Sequence, residues 1–207
     1  MKICEIKPAK LHFNEVYLSN GENVLLDKDV CAENSLMSDM EIDPDFLEEL
    51  KLKSDYVRAK SRALWYLDRM DYSEKALYEK LVQKGFDKKA SSAVVAKLVE
   101  LGLLNDRRYA ENLAVKLTDQ VNSKRAALQK MLLKGVAYDL AKETLSETET
   151  DEVSRILTLI EKKYSAKLQD PDNFQKVYAA LVRRGFSYGD VKTALKKYKE
   201  DLEFSEE

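Results

Sequence analysis

The chain of 207 residues has one histidine, two cysteines, three prolines and six glycines, and each scarcity excludes something. A Ser-His-Asp triad, a Cys-His pair or a multi-histidine metal centre would have to be built on His12 alone. That residue lies in a segment that alternates like a strand, so a surface or packed strand residue is the simpler reading. Cys4 and Cys31 cannot staple a chain of this length and have no metal-site partners near them in sequence, which points to a reducing cytoplasmic setting. No glycine falls in a G-x-G-x-x-G or G-x-x-x-x-G-K pattern, so a loop cradling nucleotide phosphates is missing. The paired acids Asp68 and Asp71, and Asp170 and Asp172, lack a third ligand and read as caps or solvated loop residues. No catalytic residue, cofactor or metal is expected. Scarce glycine and proline also disfavour a regular all-β fold, which spends both on turns. No run approaches the roughly 18 to 20 apolar residues of a membrane span, and charge interrupts Met1 to Lys7, so neither an anchor nor a signal peptide is expected.

Apolar residues make up 44% of the chain, enough for a core. The net charge of −2 hides a segregation. Residues 1–52 carry 5 Lys against 12 acids, residues 53–142 carry 19 Lys plus Arg against 11 acids, and residues 143–207 carry 11 against 14. An acidic head, a basic middle and a mixed tail describe partners rather than a fold.

Residues 2–27 interleave Ile3, Ile6, Leu11, Phe13, Val16 and Leu18 with polar residues, and Ser19-Asn20-Gly21 offers a turn at positive φ. A small β-hairpin is predicted there. Asp27 to Asp45 reads as a loosely held acidic connection, and Asp43-Pro44-Asp45 opens a short helical run through Leu47 and Leu50.

From Ser54 the period becomes helical and the chain repeats itself at a spacing of 50. Lys84-Gly85-Phe86 returns as Lys134-Gly135-Val136 and as Arg184-Gly185-Phe186. Before each glycine stands an apolar stripe: Leu77, Tyr78, Leu81, Val82, then Ala127, Leu128, Met131, Leu132, then Val177, Tyr178, Leu181, Val182. The same frame puts Ser73, Ser123 and Asn173 at the helix starts as N-caps, and each glycine at the C′ position. A second helix follows each glycine through Val94, Val95 and Leu98, through Leu145, and through Val191, Ala194, Leu195 and Tyr198. Ser187 to Asp190 offers a capping box for the last of these. A further helix precedes each pair: Tyr56 to Arg69 around Leu64 and Leu67, Arg107 to Leu117 around Tyr109, Leu113 and Leu117, and Glu152 to about Leu168 around Ile156, Leu159 and Ile160. The third copy carries a longer loop at Gln169 to Asp172. The fold class is mainly α: three tandem three-helix repeats, elongated, after a small β-hairpin-containing N-terminal segment. The division is 1–52, an acidic head; 53–104, 105–149 and 150–207, the repeats, the last with an acidic tail. Units this small lean on their neighbours, and stacked units offer a long surface, which suits a macromolecular partner.

These residues carry a resemblance. The block Ala63 to Leu67 leading through Ser73-Glu74 to Leu81-Val82-Gln83-Lys84-Gly85-Phe86, then Leu101 to Ala110, then Leu181 to Tyr188, is similar to the RecX regulators of the RecA recombinase over about Ser54 to Leu202. Asn122-Ser123-Lys124-Arg125 departs from the glycine that usually precedes the basic residues in the family's second repeat. The resemblance implies a non-enzymatic protein that binds the groove of RecA filaments on DNA, contacts more than one protomer and inhibits ATP hydrolysis and strand exchange. It would act in the cytoplasm as a monomer, without a membrane. A rod of similar units can track a polymer of identical subunits.

Lys84, Arg107, Arg108, Lys124, Arg125, Lys130, Lys134, Arg183 and Arg184 are the candidate partner-binding residues for the filament or for DNA. Lys84, Lys134 and Arg184 at helix ends are also explained by the helix dipole. Arg107-Arg108 and Lys124-Arg125 stand near helix starts, where the dipole gives no such reason, and are the stronger candidates for acidic protein surface or phosphate. Trp65, Tyr66, Tyr78, Tyr178 and Tyr188 read as core residues rather than base-stacking platforms. A direct DNA-binding module of the helix-turn-helix kind, binding single- or double-stranded DNA weakly, is the alternative, although only the middle unit is clearly basic.

Overall fold

A computed structural model describes residues 1–119, 122–148 and 151–205. The chain is mostly helical and falls into two compact units, Met1–Asn105 and Asp106–Glu207. Among the described residues, no helix is long and apolar enough to cross a membrane.

The first unit begins with three antiparallel strands, β1 (Ile3–Pro8), β2 (Phe13–Leu18) and β3 (Asn23–Asp27), in that spatial order. The turn at Gly21 (φ 86°) joins β2 to β3 with Val16 opposite Val24. The head is thus a three-stranded sheet, one strand more than a hairpin needs. Ile3, Val16, Leu18 and Leu26 alternate onto one buried face. Leu11, predicted to alternate inward, instead sits in the β1–β2 turn at φ 61° and is 86% exposed.

The connection after β3 is not loose. Asp27 caps α1 (Lys28–Glu33) by accepting the Asp29 N–H at 3.0 Å, and Val30 and Cys31 are buried. The chain then returns along β1: Ile3 donates to the Met40 carbonyl at 2.9 Å, and the N–H groups of Asp39 and Ile42 donate to Ile3 and Met1 at 2.8 Å. The free edge of β1 supplies backbone partners that no local sequence pattern announces.

Asp43 caps α2 (Pro44–Leu67), with Pro44 in its first turn. The short run through Leu50 and the helix predicted from Tyr56 are therefore one helix of 24 residues. Its Leu47 and Leu50 pack under the sheet, while Ala59, Ala63 and Tyr66 enter the core of the first three-helix group. Leu64, predicted to face that core, is 40% exposed, because Ala59 and Ala63 already occupy the i, i+4 face that meets α3 and α4.

The three-helix groups follow the predicted frame. The first ends with α3 (Glu74–Gln83) and α4 (Lys88–Glu100). The second unit contains α5 (Asp106–Asp119), α6 (Lys124–Leu133) and α7 (Tyr138–Glu147), then α8 (Glu152–Lys163), the short α9 (Ser165–Leu168), a 3-10 turn at Pro171–Asn173, α10 (Phe174–Arg183) and α11 (Tyr188–Ser205). Ser73 and Ser123 cap α3 and α6 by accepting the N–H of Ala76 and Ala126 at 3.2 and 3.1 Å. Asn173 does not cap α10: it lies at the end of the 3-10 turn, where its amide donates to Asp170. Ser187 and Asp190 form half of a capping box, the Asp190 N–H donating to Ser187 Oγ and that hydroxyl donating to the Asp190 carboxylate.

Gly85, Gly135 and Gly185 stand at φ 90°, 86° and 91°. At each, the glycine N–H bonds back three residues and the next N–H bonds back five, as when Phe86 donates to Leu81. This double closure satisfies carbonyls that a helix end would leave free, and it turns Val136 and Phe186 into the cores.

Within the second unit, the hydroxyl of Ser123 donates to the Arg184 carbonyl at 2.9 Å. A Cβ on Gly185 would lie 2.7 Å from Ser123 Oγ, whereas one on Gly85 would meet nothing within 4 Å. Both Gly→Ala substitutions incur the left-handed strain of about 1 kcal/mol. Gly185→Ala also displaces the cap of α6, so its total cost should reach about 2 to 3 kcal/mol. Urea denaturation of the two variants should show this ordering; equal losses would mean that the Ser123–Arg184 contact contributes nothing.

Candidate interaction surfaces

Two surfaces carry the exposed chemistry. The first is basic and belongs to the second unit. At the end of α10 the cations complement the free carbonyls of the last turn. Arg183 and Arg184 are exposed at the end of α10, and Arg184 is its C-cap. The Ser123–Arg184 bond presses that corner against the start of α6, where Lys124 and Arg125 occupy the first turn. Lys130 reaches back to the same place, its Nζ donating to Asn122 Oδ1 at 2.6 Å. Lys124, Arg125, Lys130, Arg183 and Arg184 are thus brought to one rim of the second unit.

The remaining candidates are placed differently. Arg107 in the first turn of α5 is paired with Glu143 of α7 at 2.9 Å, and this hydrogen bond raises its pKa further. Much of its charge is thereby accounted for within its own repeat. Arg108 is exposed beside it, Lys134 is the exposed C-cap of α6, and Lys84 is the exposed C-cap of α3 in the first unit.

Under the basic rim lies a cation that the sequence did not single out. Arg155 of α8, with its side chain only 12% exposed, pairs with Glu152 at 2.9 Å and donates to the carbonyls of Thr118, at 3.4 Å, and Asn122. Glu152 also accepts the Lys124 N–H at 3.3 Å. The pair neutralises itself and ties the α5–α6 connection to α8. Only its position beside the apolar stripe of Ile156, Leu159 and Ile160 could have marked Arg155 in advance.

The second surface belongs to the first unit, and the aromatic residues define it. Tyr66 is buried and Tyr78 and Tyr178 are half-buried against the cores, as predicted. Trp65 and Tyr188 are not core residues: they are 45% and 69% exposed, because each lies off its helix's buried stripe. Trp65 borders a cleft of about 590 Å³ between α2, the β1–β2 turn and the α3–α4 corner. On one side of it, the guanidinium of Arg58 sits between the rings of Phe13 and Phe86, 4.7 and 5.4 Å from their centroids, and pairs with Asp55 at 3.0 Å. On the other, Arg62 lies 5.4 Å from the Trp65 centroid; Arg69, just past the end of α2 and outside the cleft lining, stacks 3.6 Å from the same centroid. His12 lines the cleft as an exposed turn residue just before β2. Among the described residues, no group of three or more His, Cys, Asp or Glu gathers to hold a metal ion.

Comparison with known proteins agrees with this architecture. Residues 59–98 match the family described as "RecX, first three-helix domain", and residues 149–195 match "RecX, third three-helix domain". The chain is 31% identical over 199 residues to "Regulatory protein RecX" of Streptococcus pneumoniae (strain ATCC BAA-255 / R6), covering 94% of this chain and 76% of the relative. It is 29% identical over 196 residues to the protein of the same description from Clostridium perfringens (strain 13 / Type A), covering 90% and 91%. Two solved structures share the fold: "Crystal structure of regulatory protein RecX", at TM-score 0.67 and 20% identity over 94% of this chain and 98% of that one, and "Crystal structure of RecX from Lactobacillus salivarius", at 0.62 and 24% over 69% and 96%.

The Arg58 stack joins the sheet to the first three-helix group through planar contacts, which a lysine ammonium cannot reproduce. Arg58→Lys should therefore destabilise the protein by about 1 kcal/mol. In a double-mutant cycle, its effect should shrink once Phe13 is leucine. Additive effects in urea denaturation would show that the stack is geometry without energy.

Proposed function

We propose, from the premise that this chain belongs to the RecX family of regulatory proteins, that it binds RecA filaments assembled on DNA and restrains their ATP hydrolysis and strand exchange. The observation that carries this reading is the 50-residue frame itself: glycine corners at Gly85, Gly135 and Gly185, each following a basic C-cap, repeat at a constant spacing. Repeated units presenting similar corners suit a polymer of identical subunits, where modest contacts sum by avidity. The three-helix repeats 53–104, 105–149 and 150–207 are the binding modules in this reading. The protein acts without catalysis of its own, as a cytoplasmic monomer.

The charge balance supports contact with acidic protein surface more than with a bare polyanion. The net charge is −2, and residues 1–52 carry 12 acids against 5 lysines, which a bare polyanion would meet as repulsion. Lys124, Arg125, Lys130, Arg183 and Arg184 are the residues assigned to the filament, with Arg107, Arg108, Lys134 and Lys84 outside that rim.

Co-sedimentation and ATPase measurements on RecA with single-stranded DNA test the reading. Inhibition should appear well below one regulator per recombinase protomer, since one chain bridges several subunits or blocks growth of the filament. Arg125, Lys130 and Arg183 are exposed, so reversing all three to Glu should cut filament affinity by tenfold or more, roughly one hydrogen-bonded charge pair. Binding to bare DNA should barely move. Should the variant instead lose bare-DNA affinity, with its salt slope falling by about 0.7 to 0.9 per residue, these residues meet phosphate and the DNA-binding reading replaces this one.

A further inference from the structure

Exposed lysines and arginines steer a partner, but salt screens them, so lasting attachment needs apolar surface as well. The second unit has little of it, and what it has is concentrated. Among the described residues of that unit, the exposed large apolar side chains are Val115, Leu133, Tyr138 and Tyr188. Three of those four stand at its two glycine corners, Leu133 and Tyr138 on either side of Gly135 and Tyr188 just after Gly185. We propose, resting on the filament reading, that Tyr138 and Tyr188 anchor the second and third repeats to the filament, each ring entering an apolar pocket rimmed by carboxylates that recurs on successive subunits.

The two tyrosines occupy the same place in the 50-residue frame, the first residue of α7 and of α11. The buried residues follow at equal offsets, Ala141, Thr144 and Leu145 in one helix and Val191, Ala194 and Leu195 in the other. Neither ring belongs to a core, and the two remain 53% and 69% exposed. A lone exposed aromatic residue is ordinary on a protein surface, whereas the same side chain at two equivalent corners calls for a common cause. Helix propensity does not supply one, since tyrosine is a middling helix former.

Each tyrosine follows a basic C-cap by four residues, Lys134 and Arg184, so a ring and a cation are offered together at both corners. Tyrosine and arginine are the residue types that carry most affinity at protein interfaces, where a ring fills a dry pocket and charge stands around it. Tyr188 is also braced, its ring 6.3 Å from that of the half-buried Tyr178, which leaves it less freedom to lose on binding. Leu133, 86% exposed, adds methyl groups beside Gly135, which suit an apolar pocket rather than the face of a base. A polymer with one such pocket per subunit meets both corners of one chain, and two modest anchors then multiply their effects.

Co-sedimentation with RecA filaments on single-stranded DNA, repeated at low and high salt, separates the anchors from the cations. The full chain carries Tyr138→Ala, Tyr188→Ala or both, with folding checked by circular dichroism, and the two Tyr→Phe changes serve as conservative controls. Each Ala variant should bind about tenfold more weakly and the double variant roughly a hundredfold, with the wild-type dependence on salt unchanged. The Phe variants should stay within about threefold of wild type, because the ring makes the contact. Ala variants that bind as tightly as a sedimenting wild-type chain would overturn the anchors and leave the filament reading standing. A wild-type chain that fails to sediment would end both. Equal losses for the Ala variants on bare oligothymidylate would also overturn the proposal, since the rings would then stack on bases.

Discussion

A glycine held at positive φ after each middle helix is the constraint on which the rest of the structure depends. The middle helices α3, α6 and α10 are only ten residues long, too short to be stable alone, so their ends decide where the chain goes next. A residue with a Cβ would resist the left-handed turn, and without that turn the following residue could not reach back five positions to close the helix. Because the turn is the same at Gly85, Gly135 and Gly185, Val136 and Phe186 enter equivalent core places in their groups. Phe86 stays half-buried at the third such place because Arg58 stacks on its ring.

That same turn builds the basic rim. Gly185 has no side chain, so the corner after α10 approaches α6 closely enough for the Ser123 hydroxyl to serve two partners, accepting from Ala126 and donating to Arg184. Arg155 and Glu152 grip the other side of the same connection. A nearly buried arginine is costly unless paired, and here the carboxylate and two backbone carbonyls provide the compensation. The exposed cations above are positioned by these backbone contacts, while the buried ion pair contributes no net charge to the surface.

Legibility in the sequence followed how each element is specified. The repeat was readable wherever it is written in residue types with few alternatives: cap serine, large apolar stripe, glycine. It faded where small or polar residues fill core positions. The frame puts Ser91, Ala141 and Val191 at one buried place and Val94, Thr144 and Ala194 at another, so α7 showed only Leu145 as an apolar signal. Thr144 is tolerated there because its hydroxyl donates to the Leu140 carbonyl. Ala59 and Ala63 hid the buried face of α2 for the same reason, and Leu64 drew attention to the wrong one. The held connection after β3 was illegible because it rests on backbone pairing with β1, which uses no side chain. Of the nine basic positions, the residue types were visible at once. Their grouping was not, because the contact between Ser123 and Arg184 spans 61 residues.

The two surfaces differ in how rigidly their cations are held, and that difference bears on what each can recognise. At the rim, Arg125 and Arg183 are exposed side chains on helix ends, suited to summing weak attraction over several units and strongly screened by salt. In the cleft, Arg58 is stacked on rings and held by Asp55, and beside it Arg69 is stacked on Trp65 and bonded to the Trp65 carbonyl. Guanidinium planes held in this way have less rotamer freedom left to lose. The rim and the cleft hold their cations in different ways, and α2 explains why the cleft belongs to the first unit. There one helix runs from beneath a sheet into a three-helix group, placing aromatic residues from β2, the α3–α4 corner and its own exposed face around Arg58 and Arg62.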